Sequence, residues 1–238
     1  MADDKTALVT GGSRGIGRAI AKLLVKNDYS VIAVYKKSEV LSQALKIKYK
    51  KLLTFKADIG SEDDLKNVVD FTKKHFNHLD VLVNNAAIDI PGFMKDYKSN
   101  DWDTMMRVNL KSVFLLSQHC LPLLQKANDG VIINISSRLG IPDRAHPKFF
   151  MYGITKAGVN ILTTCLAKEL ENTGIRVNAI MPTATKTDLL DKVMRKELQD
   201  QYAKEGKLGK PEEVAELVME LVNDTSASGK LLLDPRIA

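Results

Sequence analysis

The stretch Thr10-Gly11-Gly12-Ser13-Arg14-Gly15-Ile16-Gly17 decides the fold of this chain. It follows a short apolar run at 7–9 and leads into a helical pattern at 17–26, and a second strand pattern comes at 30–34. Glycines between a strand and a helix permit a tight turn and a close approach of the backbone to a pyrophosphate, which the N–H groups of the helix N-terminus bind. The stretch therefore predicts a dinucleotide-binding unit rather than a plain turn.

Strand patterns and helical patterns alternate from this unit to the end of the chain. The apolar runs lie at 7–9, 30–34, 52–55, 81–83, 131–135, 177–180 and 231–233, with helical patterns between them, among them 17–26, 62–76, 103–125 and 155–171. Strands separated by helices imply right-handed crossovers, and apolar strands imply a sheet covered on both faces. We therefore expect one dinucleotide-binding and catalytic domain at 1–238, of α/β class, with a Rossmann-type doubly wound, seven-stranded parallel sheet flanked by helices.

Composition argues against several other classes of protein. No apolar run reaches the roughly 18 residues of a transmembrane helix. The start, Met1-Ala2-Asp3-Asp4-Lys5, is acidic and unlike a secretory signal. Cys120 and Cys165 both lie in apolar helical stretches without metal-ligand spacing. We therefore expect buried, reduced thiols, no metal site and a cytoplasmic location.

The formal net charge of +6 raises the question of nucleic acid. The lysines are scattered, however, with local concentrations only at 46–51 and 192–210, and neither zinc-finger spacing nor an aromatic RNA-binding strand accompanies them. A solvated basic surface that attracts an anionic cofactor or substrate is the better interpretation. We expect no nucleic-acid partner and no membrane partner.

The end of the second strand indicates which dinucleotide is bound. An acidic residue there binds the ribose 2′-hydroxyl of NAD, whereas the sequence reads Val34-Tyr35-Lys36-Lys37. A 2′-phosphate needs cations, and Arg14 with Lys36 or Lys37 can supply them. The alternative is that these lysines are ordinary solvated residues. We expect NADP(H) to be favoured over NAD(H).

Tyr152-Gly153-Ile154-Thr155-Lys156 carries the predicted chemistry. Residues four apart on a helix share a face, so the Lys156 ammonium can stabilise a tyrosinate and lower the pKa of Tyr152 from about 10 towards neutrality. Such a tyrosine gives a proton to a carbonyl oxygen or takes one from an alcohol. The pair alone is a weak pattern, but it follows the fifth strand and an irregular loop at 138–150, where doubly wound folds bind ligands.

Taken together, these motifs resemble the short-chain dehydrogenase/reductase family over nearly the whole chain. The glycine turn matches its Thr-Gly-x-x-x-Gly-x-Gly pattern, and Asn84-Asn85-Ala86-Ala87 is similar to its Asn-Asn-Ala-Gly. The resemblance implies a catalytic set of Asn109, Ser137, Tyr152 and Lys156. In that set Asn109 holds a water of the proton relay and Ser137 hydrogen-bonds the substrate oxygen, while Ser136 is the alternative to Ser137.

The glycine turn, the second strand and the resemblance together give a cofactor site. Asp58 and Ile59 are expected beside the adenine, and Thr187 and the backbone near Thr185 beside the nicotinamide carboxamide. Thr183 replaces a usual glycine and is expected to crowd the substrate. The predicted cofactor-binding residues are Gly11, Ser13, Arg14, Gly15, Ile16, Gly17, Tyr35, Lys36, Lys37, Asp58, Ile59, Asn85, Ala86, Tyr152, Lys156, Pro182, Thr185 and Thr187.

Within the family the pattern is most similar to 3-oxoacyl-[acyl-carrier-protein] reductases. This implies an acyl-thioester substrate and acyl carrier protein as a partner, which the basic residues Arg138, Arg144 and Lys148 of the loop can meet. Basic residues usual before the fifth and sixth strands are absent, because Asn128-Asp129 and Asn172-Thr173 occupy those turns. The alternative substrate is therefore a sugar, a polyol or a small secondary-metabolite ketone.

Two further regions bear on the substrate and on assembly. His146, Phe149, Phe150 and Met151 are candidates for an apolar mouth, or else core contacts before a helix. The C-terminal stretch Leu233-Asp234-Pro235-Arg236 departs from the usual Val-Asp-Gly-Gly, in a region that packs across a tetramer axis in many relatives. We expect a homodimer or a homotetramer.

Overall fold

Seven parallel strands form one sheet in the computed structural model, which describes residues 5–37 and 39–235. The order β3-β2-β1-β4-β5-β6-β7 confirms the predicted doubly wound sheet. All side chains of β1, β4, β5 and β6 are buried, as expected for a sheet covered on both faces. The strands are β1 (Thr6–Thr10), β2 (Ser30–Tyr35), β3 (Leu52–Lys56), β4 (Val81–Asn84), β5 (Gly130–Ile135), β6 (Ile175–Met181) and β7 (Leu231–Leu233).

Helices cover both faces of this sheet. One core joins α1 and α9 to the sheet through Leu24 and Val218, and the other joins α3 and α5 through Val68 and Leu116. The helices are α1 (Gly15–Lys26), α2 (Glu39–Lys48), α3 (Glu62–His75), α4 (Ser99–Met106), α5 (Ser112–Leu124), α6 (Phe150–Glu169), α7 (Asp188–Val193), α8 (Lys196–Lys204) and α9 (Pro211–Asn223). Among the described residues, no helix is both long and apolar enough to cross a membrane.

The helix expected at 103–125 is present as an unbroken helical segment that contains a π-helical turn. This turn, Arg107–Lys111, lies between α4 and α5. Asn109 lies in this turn, and its side chain hydrogen-bonds the backbone of Ile88, a contact that a sequence pattern of local spacing does not reveal. The π turn therefore serves a tertiary contact.

The expectation that both cysteines are buried is wrong for Cys165. Cys120 is buried, but Cys165 is exposed. Thr163 and Ala167 of α6 are buried, and a residue two positions from each of them points to the other side of the helix.

The segments that follow β5 and β6 lie at the carboxyl edge of the sheet. Three 3-10 turns, Arg138–Gly140, Pro142–Arg144 and Pro147–Phe149, fill the first segment before α6 begins. In the second segment, which follows β6, α7 begins at Asp188. The residues predicted for chemistry are thus brought to one edge of the sheet.

Candidate active site

A cavity of about 540 Å³ opens at the carboxyl edge of the sheet and is lined by the residues that directly follow β1 and β4. The strand order reverses between these two strands, which is where doubly wound folds bind nucleotides. Ser137 lines the cavity. The predicted cofactor residues that line it are Gly11, Ser13, Arg14, Gly15, Ile16, Tyr35, Lys36, Lys37, Asp58, Ile59, Asn85, Ala86, Tyr152, Lys156, Pro182, Thr185 and Thr187.

The glycine turn has the backbone shape that a phosphate site requires. Gly11 and Gly15 have φ values of +66° and +50°, which side-chain-bearing residues rarely adopt. A Cβ on Gly11 would lie 2.8 Å from the Asn85 side-chain nitrogen, so the absent side chain lets the turn pack closely against the segment after β4. Contrary to the prediction, Gly17 does not line the cavity. A Cβ there would collide with the Gly11 carbonyl oxygen, so Gly17 allows α1 to pack against the turn.

Thr10 fastens the glycine turn to the segment after β4. Its Oγ1 accepts hydrogen bonds from the backbone N–H groups of Asn85 (2.9 Å) and Ala86 (3.0 Å). The Asn85 side chain donates in return to the Thr10 carbonyl oxygen at 2.8 Å. These bonds hold two walls of the cavity in a fixed relation. The sequence motif contains Thr10, but its spacing does not reveal this partner.

Two of the cations predicted for the cofactor site form ion pairs with carboxylates. The Lys36 ammonium lies 2.5 Å from a carboxylate oxygen of Asp58, which follows the neighbouring strand β3. Burial acts to raise the pKa of Asp58, yet the Lys36 ammonium and the Gly60 N–H hold that pKa below its usual value. On the glycine turn, Arg14 lies 3.7 Å from Asp188 at the start of α7. Both cations remain about half exposed and can turn towards an anion.

Tyr152 and Lys156 lie one turn apart on α6, as predicted. The Lys156 ammonium is 5.5 Å from the centre of the Tyr152 ring and donates a hydrogen bond to the Ile135 carbonyl oxygen at 2.7 Å. Only 3% of Lys156 is exposed, and this burial lowers its pKa to about 8. At neutral pH the ammonium form still predominates.

The pKa of Tyr152 is shifted in the direction opposite to our expectation. Burial raises it above its ordinary value, and the carboxylate of Asp89 raises it further. The Lys156 ammonium faces the tyrosine ring and is engaged with the Ile135 carbonyl oxygen, so it does not offset this burial. In the protein chain by itself, Tyr152 is therefore a protonated phenol at neutral pH.

The two serines after β5 have different surroundings. The Ser136 hydroxyl is buried and donates to the Lys156 carbonyl oxygen at 3.1 Å, which ties it to α6. The Ser137 oxygen accepts from the Leu139 N–H at 3.2 Å, which leaves its own O–H free to donate into the cavity. This geometry favours Ser137 over Ser136 as the substrate-facing hydroxyl.

Asn109 lies behind the wall of the cavity rather than in it. Its side-chain oxygen accepts from the Ile88 N–H at 2.9 Å, and its side-chain nitrogen donates to the Ile88 carbonyl oxygen at 2.8 Å. The same nitrogen lies 3.2 Å from the hydroxyl of Thr155 on α6. Asn109 thus joins the segment after β4 to the catalytic helix, and its role in a water relay stays a prediction.

Three threonines, Thr183, Thr185 and Thr187, line the cavity wall that follows β6. The Thr183 hydroxyl donates to the Lys207 carbonyl oxygen at 3.2 Å, and its N–H donates to buried Asp234 at 3.3 Å. Thr183 thereby links the cavity wall to the C-terminal segment. The Thr187 oxygen caps α7 by accepting from the Leu190 N–H at 3.3 Å.

The mouth of the cavity contains residues that the sequence did not single out. His146 and Phe149 line it as predicted, whereas Phe150 packs edge-on against Tyr97 and Met151 is buried in the core. The additional residues come mainly from α7, α8 and the loops before them: Asp89, Leu139, Leu190, Val193, Met194, Leu198 and Tyr202. An apolar face on the short helices after β6 is the signal that could have indicated most of them.

Asp89 is the charged residue among these additions. The Ile90 N–H donates to its carboxyl group, and burial raises its pKa to about 6. Its Oδ1 atom is buried and has no hydrogen-bond partner among the described residues. Asp89 is therefore an acidic group of the cavity that the sequence patterns did not predict, in addition to Asp188, which pairs with Arg14.

Comparison with known proteins agrees with this geometry. The family model for short chain dehydrogenases matches residues 5–198. A 3-oxoacyl-[acyl-carrier-protein] reductase of Thermotoga maritima is 34% identical over 230 residues, which are 94% of this chain and 93% of that protein. A protein of the same name from Staphylococcus aureus is 35% identical over 227 residues, which are 92% of this chain and 91% of that protein.

A solved structure shows the same fold at similar sequence identity. It is a short-chain dehydrogenase from Burkholderia cenocepacia in complex with NADP, with a TM-score of 0.88 and 33% identity over 96% of this chain and 95% of that one. The family match and these full-length relatives confirm the resemblance that the glycine turn and the Tyr152–Lys156 pair predicted. The chain belongs to the short-chain dehydrogenase family.

Proposed function

We propose that this protein is an NADPH-dependent oxidoreductase that reduces a ketone to a secondary alcohol, most simply a 3-oxoacyl thioester. The observation that carries the proposal is the convergence of Ser137, Tyr152 and Lys156 on the cavity that also holds the glycine turn. A hydroxyl donor, a protonated phenol and a buried ammonium in one cavity suit proton delivery to a carbonyl oxygen.

The residues present fit a dinucleotide phosphate. Gly11 and Gly15 line the cavity with positive φ values at the N-terminus of α1, where backbone N–H groups can bind a pyrophosphate. Arg14, Lys36 and Lys37 line the same cavity, and β2 ends without a carboxylate of its own. The NADP in the Burkholderia structure supports the preference for the 2′-phosphate.

The chain's own residues orient and protonate the substrate, while the nicotinamide supplies the hydride when bound. The Ser137 hydroxyl donates a hydrogen bond to the ketone oxygen, and the Tyr152 phenol donates the proton that completes the alcohol. The raised pKa of Tyr152 keeps this proton in place at neutral pH, which suits the reductive direction. Lys156 holds a positive charge beside the ring as negative charge develops on the phenol oxygen.

The thioester substrate is supported by the two reductases named above. Exposed Arg144 and Lys148, beside the mouth, are candidates to meet the acidic surface or phosphate of an acyl carrier protein. The second candidate is a hydroxylated ketone such as a sugar or polyol derivative, which Asp89 in the cavity favours as a hydrogen-bond acceptor. A cytoplasmic location, a single domain at 1–238 and a homo-oligomer remain predictions.

A substrate screen tests the proposal. Acetoacetyl thioesters and a panel of small and hydroxylated ketones would be offered with NADPH and with NADH, and loss of reduced nicotinamide would be followed by absorbance. We expect turnover of the thioesters with NADPH. Turnover of hydroxylated ketones alone would select the second candidate, and inactivity with every carbonyl compound would refute both.

A further inference from the structure

We propose that Asp89 is a specificity-determining residue: its carboxyl group accepts a hydrogen bond from a donor group of the substrate beside the reacting ketone, and it disfavours substrates with an anionic group there. The inference rests on the proposed ketone reduction and adds the chemical class of the group next to the ketone. The proposal rests on three observations: the position of the Asp89 side chain in the cavity wall, its carboxyl oxygen without a hydrogen-bond partner among the described residues, and the charged groups around it.

The backbone around Asp89 is fixed on both sides. Ile88 is held by two hydrogen bonds to Asn109, at 2.9 and 2.8 Å. The Ile90 carbonyl oxygen accepts from the Tyr97 hydroxyl at 2.7 Å, and the Gly92 N–H donates to the Lys148 carbonyl oxygen at 2.9 Å. Asp89 therefore cannot leave the cavity wall without breaking these contacts, and its carboxyl group is a permanent feature of the site.

The carboxyl group has an unused acceptor. The Ile90 N–H donates to it, but its Oδ1 atom is buried and has no hydrogen-bond partner among residues 5–37 and 39–235. Buried acceptors in folded proteins are almost always paired. Oδ1 is closed off from solvent in this conformation, and a turn of the carboxyl group towards the cavity that Asp89 lines brings it to an O–H, N–H or cationic group of a ligand.

The charged groups around Asp89 come from three elements. Burial raises the pKa of Asp89, and Lys148, before α6, and Lys156, on α6, act against that rise. Burial likewise raises the pKa values of Tyr152 on α6 and Tyr97 after β4, and the Asp89 carboxylate adds to both shifts. These lysines do not pair with Oδ1 at hydrogen-bond distance. The carboxylate therefore acts at short range on a substrate in the cavity, attracting a donor and repelling an anion.

Three matched 3-oxo compounds separate these effects. Acetoacetamide carries an N–H donor beside the ketone, methyl acetoacetate carries neither donor nor charge, and acetoacetate carries a carboxylate. In the unmodified enzyme we expect kcat/KM to fall in that order, with at least about a tenfold step from the amide to the carboxylate. An unmodified enzyme that prefers acetoacetate to acetoacetamide would overturn the proposal without any variant.

Substitutions then assign the preference to Asp89. Asp89→Asn removes the charge at nearly constant volume, so the ratio of kcat/KM for acetoacetate to that for methyl acetoacetate should rise at least about tenfold. Asp89→Leu removes the acceptor too and should abolish the preference for acetoacetamide. Asp96→Asn is the matched control, because Asp96 is exposed and does not line the cavity, and its ratios should match those of the unmodified enzyme.

The outcomes distinguish this proposal from the function on which it rests. A merely structural role of Asp89 would lower kcat/KM for all three compounds by one factor, and unchanged ratios in both variants would overturn the proposal. If the enzyme reduces no 3-oxo compound, the 3-oxoacyl assignment fails. The ratios of kcat/KM are then measured with a second series of ketones, in which hydroxyacetone carries an O–H donor, butanone carries neither donor nor charge, and pyruvate carries a carboxylate. Inactivity in both series would contradict ketone reduction and the role of Asp89 together.

Discussion

Burial shifts the pKa values of two neighbouring groups, Tyr152 and Lys156, in opposite directions. Burial raises the pKa of the phenol and lowers that of the ammonium to about 8, since in each case it disfavours the charged form. Both shifts leave a protonated phenol and a mostly charged lysine at neutral pH. The pair is therefore set to deliver a proton in the direction of ketone reduction.

Replacing Tyr152 by phenylalanine tests this assignment. The ring keeps its packing in α6 while the proton donor is lost, so turnover should fall by about 10²-fold to 10⁴-fold. NADPH affinity, measured by fluorescence titration, should stay nearly unchanged. Tyr49→Phe, at a site outside the cavity, is the control. Near-normal turnover of Tyr152→Phe would refute the role of this hydroxyl.

The lysines after β2 give a second prediction at the residue scale. Replacing Lys36 and Lys37 together by alanine removes two cations from the cavity, so NADPH should bind at least about tenfold more weakly while NADH changes little. Titration with both nucleotides measures the difference. Lys66→Ala with Lys74→Ala, at two exposed positions of α3, removes the same charge elsewhere. Equal losses for NADPH and NADH would mean that Lys36 and Lys37 do not read the phosphate.

Among the structural elements, the π turn at Arg107–Lys111 connects the site to the fold. It places Asn109 where one side chain satisfies both backbone groups of Ile88 and reaches Thr155 on α6. Ile88 precedes Asp89, so the same turn positions one wall of the cavity. The π turn therefore supports this wall, and its contribution can be measured as a free energy of unfolding, separately from catalysis.

Asn109→Ala should destabilise the fold by about 1–3 kcal/mol, because it leaves the N–H and the carbonyl oxygen of Ile88 without their partner. Denaturant unfolding of the two proteins measures this difference. The same substitution at exposed Asn128 should change the free energy of unfolding by less than about 0.5 kcal/mol. An Asn109→Ala protein as stable as the unmodified one would show that this contact does not support the wall.

Local patterns in the sequence predicted most elements but not the contacts between distant ones. The apolar runs located all seven strands, since buried parallel strands are recognisable from their own residues. The π turn depends on Ile88, which lies 21 residues from Asn109. The Lys36–Asp58 pair likewise crosses between strands, and burial of Asp89 depends on surrounding chain segments. These features arise from tertiary packing, which local spacing does not encode.

At the scale of the whole molecule, apolar side chains remain on one outer surface. Helices α5 and α6 belong to the same core, yet Phe114 of α5 is 42% exposed and Ile161 of α6 is 67% exposed. Large apolar side chains exposed on helices that cover the same face of a sheet are typical of protein interfaces. This surface is our candidate for the contact in the predicted homo-oligomer.

Ile161→Glu tests that assembly. A charge in an apolar interface is left unpaired, so the molar mass measured by light scattering after size-exclusion chromatography should fall to 26.4 kDa, that of one chain. Ile47→Glu, on α2 and more exposed still at 84%, is the control and should keep the mass of the unmodified protein. If the unmodified protein itself has the mass of one chain, the predicted homo-oligomer is wrong.

The ion pair between Arg14 and Asp188 joins the glycine turn to the first residue of α7, whose later residues line the mouth of the cavity. An anion that recruits the Arg14 guanidinium takes it from Asp188, so the occupancy of one end of the cavity and the position of α7 are thermodynamically linked. Because an exposed pair of this kind contributes at most about 1 kcal/mol, the coupling is limited to about fivefold in either affinity. By reciprocity, a ligand that displaces α7 from the turn would strengthen anion binding by the same factor.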